Sequence, residues 1–181
     1  MGKKSRAKKL RRAGVDPVVA KTIFKTLDET TLREIVKKSS AKHAEQDARI
    51  LAILNAVDTE NIDVNGDTLE IYLDFLKQNI ENPCIVTGMQ DFRWEGYYVF
   101  GPGSKKEYEK LKKDNPSYTD TFEILTLYNE PDDSMGIFAR VRRISDRKKF
   151  DLPLADLKAA DPESKNAQML DDYSCWFVNN R

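Results

Sequence analysis

A chain of 181 residues with 40% hydrophobic residues can bury a core, but two cysteines are too few for a disulfide scaffold, and no apolar run approaches the roughly 20 residues needed to span a bilayer. With no apolar leader ahead of a cleavage site, the expected location is cytoplasmic and reducing. Net charge is zero but uneven: Lys3, Lys4, Arg6, Lys8, Lys9, Arg11 and Arg12 make the first 14 residues basic, leaving a body of 23 basic and 30 acidic residues.

Residues 1–14 have almost nothing to bury and are predicted to form a flexible tail. Its lysines and arginines are the candidate nucleic-acid-binding residues, because clustered cations release counterions from phosphates. Four helices are expected next. Asp16 caps the first, with Pro17 at its first position and Val19, Ile23 and Leu27 on one side. Thr31 with Glu34 forms a capping box for a short second helix through Leu32, Ile35 and Val36. The third runs from about Ala41 to Val57, with Ile50, Ile53, Leu54 and Val57 facing inward. Asp67 and Glu70 open the fourth, Thr68 to Ile80, which carries Leu69, Tyr72, Leu73, Leu76 and Ile80. Residues 15–80 therefore read as a helical segment, with the last helix also free to join the sheet that follows.

His43, the single histidine, falls on a polar helix face, and no catalytic triad assembles around it. Between the third and fourth helices, Asn61, Asp63, Asn65 and Asp67 take positions 1, 3, 5 and 7 of an EF-hand register set by Gly66. Tyr72 then occupies position 12, where the bidentate glutamate belongs. An Asn-Gly turn leading into a capped helix accounts for the same residues.

After Pro83 the apolar period shortens to two. Cys84–Gly88 and Tyr97–Phe100 read as strands, and Gly101-Pro-Gly103 turns the chain into a helix from Lys105 to Lys113 capped by Ser104. Three further strands follow: Thr121–Tyr128, Ile137–Ile144, and Phe150–Leu154 with Pro153 marking an edge or an end. In the second of these, Ile137, Ala139 and Val141 alternate with Arg140 and Arg142, as in a half-solvated antiparallel strand. Met169, Leu170, Tyr173, Trp176 and Phe177 give a closing helical stripe. The predicted fold is α+β: an N-terminal helical segment, then a small, bent antiparallel sheet or open barrel over residues 81–181, finished by a C-terminal helix.

Several motifs carry a resemblance: Tyr72-Leu-Asp-Phe-Leu76 leading into Asn82-Pro-Cys-Ile-Val-Thr-Gly88, then Phe92-Arg-Trp-Glu95, Ala139-Arg-Val-Arg142, Phe150-Asp-Leu-Pro-Leu-Ala-Asp-Leu157 and Asp171-Asp-Tyr-Ser-Cys-Trp-Phe177. From Tyr72 to Phe177 the chain resembles the bacterial calcium-binding protein family that includes the calcium-sequestering protein of heterocyst-forming cyanobacteria. The resemblance implies a non-enzymatic β-rich domain that buffers or senses Ca2+ through surface carboxylates. This chain is less acidic than members of that family, and its N-terminal helices are not part of the pattern.

Calcium takes six to eight oxygens, so candidate ligands are sought where carboxylates crowd. The loop Asn129–Ser134 offers Glu130, Asp132 and Asp133. Asp91 with Glu95 and Asp171 with Asp172 are two further pairs, at the two ends of the resembling region. An adaptor that binds nucleic acid or the ribosome through the basic tail is the alternative function. An enzyme is the least expected class, since Cys84 and Cys175 read as buried structural thiols with no partner at catalytic spacing.

Overall fold

A computed structural model describes residues 29–57 and 62–181. The basic tail, the Asp16-capped helix and Asn61 lie outside the described residues. The expected second and third helices are one, α1 (Glu29–Leu54), 26 residues long. Ser39 and Ser40, which separate the two stripes, include neither glycine nor proline, so nothing stops the helix there. It ends where Asn55 adopts φ 53°, a left-handed terminator that asparagine tolerates, and Val57 lies outside the stripe, 95% exposed. The chain's contacts divide it between Arg49 and Ile50, and the description below concerns the unit from Ile50 to Arg181.

This unit places α2 (Gly66–Asn79) and α5 (Lys165–Asn179) with an open five-stranded sheet in the order β4-β3-β2-β1-β5. The strands are β1 (Ile85–Gly88), β2 (Thr121–Leu127), β3 (Phe138–Arg143), β4 (Lys149–Pro153) and β5 (Leu157–Ala159). All pairings are antiparallel, with an irregularity between Ile124 and Thr126. The sheet is open, as the expected α+β class allows, and Pro153 closes an edge strand. The three-residue strand β5 had no signature in the sequence. It is too short to show alternation and is defined by its pairing with β1.

Alternation sets the two faces. Val86, Phe122, Ile124, Ala139, Val141 and Leu152 turn inward to join Leu69, Tyr72, Leu73 and Leu76 of α2 and Leu170, Tyr173, Trp176 and Phe177 of α5 in one core. Opposite charges meet directly across strands on the outer face: Arg140 with Asp151, and Arg142 with Glu123. Tyr72 stacks on Trp176 with centroids 4.8 Å apart, so the last of the expected helices packs with the C-terminal one. Trp176 also donates its indole N–H to the Ile62 carbonyl at 2.7 Å, and the buried Asn166 side chain exchanges two hydrogen bonds with the Glu81 backbone.

Three local expectations are corrected. Tyr97–Phe100 is not a strand; Gly96–Val99 forms a single helical turn, α3, because the Glu95 carbonyl accepts from the amides of Tyr98 and Val99. The cap of α2 is Asn65 rather than Asp67: its side chain accepts from the Thr68 amide at 3.0 Å while Thr68 Oγ1 accepts from the Asn65 amide. The helix from Ser104, α4 (Lys105–Leu111), is shorter than expected, and Ser104 makes no side-chain cap.

Candidate functional site

The acid-rich loop joins β2 to β3, and its base is rigid. Asp132 and Gly136 pair by two backbone hydrogen bonds of 2.9 and 2.6 Å. Gly136 sits at φ 76°, and a Cβ there would collide with the Tyr173 hydroxyl and come within 2.8 Å of Phe177 Cε2. The same hydroxyl accepts from the Ile137 amide at 2.7 Å. Both the left-handed backbone and the close approach of α5 demand glycine. Gly136→Ala is accordingly expected to destabilise the protein by about 3 kcal/mol, read as a lowered midpoint in urea unfolding followed by tryptophan fluorescence.

Within the loop, Asp132 Oδ1 accepts from the Ser134 amide, the Ser134 hydroxyl and the Met135 amide at 2.6–2.8 Å. Those donors, the Ser134 hydroxyl foremost, hold the Asp132 carboxyl below its ordinary range, so it is charged at neutral pH. Asn129 Oδ1 is taken by Lys77 Nζ of α2 at 2.7 Å. Glu130 and Asp133 are exposed. Asp133 Oδ1 lies 3.9 Å from where a Cβ on Gly66 would stand, so this loop meets the Asp63–Asp67 stretch at the start of α2. Two oxygen-rich segments distant in sequence thus come together, although Asn65 spends its side-chain oxygen on the helix cap.

The other candidates are placed differently. Asp91 is half-buried, with Oδ2 lying over Gly96. Glu95 is not at the surface at all: it is fully buried and accepts four hydrogen bonds, from the amides of Phe92 and Tyr118 and the hydroxyls of Tyr108 and Ser117, at 2.7–2.9 Å. On α5, Asp171 is exposed while its neighbour Asp172 is buried. Among the described residues, no three His, Cys, Asp or Glu side chains converge into a ready-made metal cage, whether from these pairs or from the loop. Without such a cage, calcium held by these residues would have to draw most of its six to eight oxygens from backbone carbonyls and water.

Lys3, Lys4, Arg6, Lys8, Lys9, Arg11 and Arg12 lie outside the described residues. Cys84 is buried, and burial pushes its thiol up to about 11, against a hydrogen bond with Asn166 that lowers it. Cys175 departs from the expectation, being only partly covered. No described helix is long and apolar enough to cross a membrane.

Sequence reasoning missed Arg143, one of the few buried charges among the described residues: it shares the inward phase of Ala139 and Val141, a positional signal that its charge masked. It also missed the exposed rings of Tyr97 and Phe100, whose β-rich composition disguised a helical turn.

Comparison with known proteins adds the following. Residues 103–177 match the model of a family described as calcium binding. A solved structure titled "Calcium binding protein in the calcium-binding form" aligns with a TM-score of 0.45 and 16% identity over 74% of this chain and 90% of that one. No curated protein matches. The part of the chain that holds β2 to β5, the acid-rich loop and most of α5 therefore matches the calcium-binding family that the sequence resembles.

Proposed function

We propose that this protein binds Ca2+ without catalysing a reaction, at the loop Asn129–Gly136 where it faces the start of α2. The observation that carries the reading is the family match over residues 103–177, which includes this loop. The geometry supports it: Asp132 has a rigid base and stays ionised, Asp133 stands beside Gly66, and Glu130 is exposed on the same turn. Carboxylates held close together repel, and a hard divalent cation relieves that repulsion and stabilises the folded state by mass action. A site with so few carboxylates belongs at the weak end of the calcium range, on the order of 0.1–1 mM, suited to buffering or to sensing a large rise in the ion.

Calorimetric titration of calcium at physiological salt, alongside amide chemical shifts, tests this. Saturable binding is expected, with the largest shifts at residues 130–136 and 63–67. The double substitution Asp132→Asn with Asp133→Asn should weaken it about tenfold or more. A flat titration up to about 1 mM ion, or binding unchanged in the double variant, removes this site. A change in Trp176 emission on binding separates a sensor, which moves its core, from a buffer, which does not.

A further inference from the structure

Away from the acid-rich loop, α3 displays an apolar surface that the core does not use. Tyr97 is 58% exposed and Phe100 is 80% exposed, and Val99 beside them is also exposed. Isolated exposed apolar residues are ordinary, but three within four positions, two of them aromatic, form a patch.

The patch is held rigidly. The Phe100 amide donates to the Gly96 carbonyl at 3.1 Å and the Gly103 amide to the Tyr97 carbonyl at 3.2 Å, which folds the Gly101-Pro-Gly103 turn back on α3. A Cβ at Gly103 would come within 2.5 Å of Tyr98 Cδ1, so only glycine allows the turn to lie this close. Beneath the exposed rings, Tyr97 packs edge-on against Tyr98, which neighbours Tyr108 and Trp94, and Trp94 is pinned by its indole N–H to the Pro116 carbonyl at 2.6 Å. The backbone that carries both rings is thus hydrogen-bonded in place and the Tyr97 ring is braced by Tyr98, which lowers the cost of ordering this surface when something stacks on it.

The chain that leaves the patch is basic. Residues 105–113 hold five lysines and two glutamates. Lys105, Lys106 and Lys110 are exposed, whereas Lys112 is engaged with Thr119 and the Tyr108 ring. Exposed aromatic residues followed within a few positions by exposed cations are complementary to a ligand that carries flat π-systems and negative charge in alternation.

We propose that the surface of Tyr97, Phe100, Lys105, Lys106 and Lys110 binds single-stranded nucleic acid, with bases stacking on the two rings and phosphates meeting the lysines. Unstacked bases use both features, whereas an acidic peptide uses only the lysines, and a duplex hides its base faces. The proposed surface uses no residue of the basic tail or of the acid-rich loop, and it holds whether or not calcium binds.

The test is fluorescence anisotropy of the full chain with a labelled mixed-sequence single strand of about twelve nucleotides, as RNA and as DNA, at about 50 mM salt. Single strands are expected to bind and the matching duplex to bind more weakly. Tyr97→Ala with Phe100→Ala should reduce affinity about tenfold or more, while Phe100→Trp preserves it. Lys105→Glu with Lys106→Glu should also weaken binding and flatten its salt dependence by about two phosphates' worth. Because these side chains are largely exposed, each variant should still unfold cooperatively, the double aromatic variant only slightly earlier through loss of the Tyr97–Tyr98 contact. The double aromatic variant should lose the same factor after residues 1–14 are deleted. The proposal is overturned if no strand binds, if the aromatic variant binds like the parent, if deleting the tail abolishes binding, or if polyglutamate or anionic vesicles bind as well as the strand.

Discussion

Replacing Arg143 by alanine is expected to cost about 4 kcal/mol, the scale found when one member of a buried charged network is removed. Its side chain is only 4% exposed. Nη1 donates to the carbonyls of Lys112 and Asn115 and to Asp120 Oδ2, Nη2 to the Lys113 carbonyl and Asp146 Oδ2, and Nε to Asp146 Oδ1, all at 2.6–3.0 Å. The guanidinium also lies 5.1 Å from the Phe150 ring centroid. One side chain at the end of β3 thus ties down the whole crossing from α4 to β2. Truncating it leaves three carbonyls and two carboxylates without their common donor. Lysine keeps the charge but not the planar fork, so Arg143→Lys should still cost about 2 kcal/mol.

The ion pair has a pH signature. Hydrogen bonding to Arg143, against some burial, holds the Asp146 carboxyl down to about 2. In the unfolded chain an aspartate titrates near 3.9. A folded value below the unfolded one gives stability that is complete above about pH 4 and is lost as pH falls through about 2. Asp146 is partly open to solvent, which moderates the size of the effect. In Arg143→Ala the slope of unfolding free energy between about pH 4 and 2 should flatten. An unchanged slope would show that the pair does not contribute as described.

The second large effect is expected at Glu95. Glu95→Ala should destabilise by about 3–5 kcal/mol, since two buried backbone amides and two hydroxyls lose their acceptor. Glu95→Gln should cost much less, about 1–2 kcal/mol, for a reason visible in the atoms. Oε2 faces two amides that only donate, Phe92 and Tyr118, while Oε1 faces the hydroxyls of Tyr108 and Ser117, which rotate and accept. A glutamine oriented with its oxygen toward the amides satisfies both sides. Urea unfolding of the two variants checks the ranking, and equal losses would refute the acceptor argument. Glu95→Ala should also release Trp94, which stacks on Tyr108, giving an emission change that Glu95→Gln lacks.

Glu95 and Arg143 show why part of the chemistry was hidden in the sequence. Glu95 sits in Trp-Glu-Gly, a context in which a charge normally faces water, whereas Arg143 falls on the inward phase of β3 with Ala139 and Val141, a place where a charge is not expected. Their burial depends on the 112–120 segment, which returns to them from outside their own neighbourhood in sequence. By contrast, the acid-rich loop was evident as a run of carboxylates between two strands. Its approach to Gly66 across more than sixty residues was not evident, and neither was the commitment of Asn65 and Asn129 to a helix cap and a lysine.

The sequence by itself determined the α+β class, β2 through β4, the outward Arg140 and Arg142, and the helical stripes of α2 and α5, because apolar period is a local property carried by nearby residues. Only the tertiary structure decided that Gly96–Val99 turns as a helix, that β5 exists, that α1 runs unbroken, and which charges are buried. Those outcomes rest on hydrogen bonds between segments far apart along the chain, or, for α1 and α3, on local signals too weak to choose between conformations.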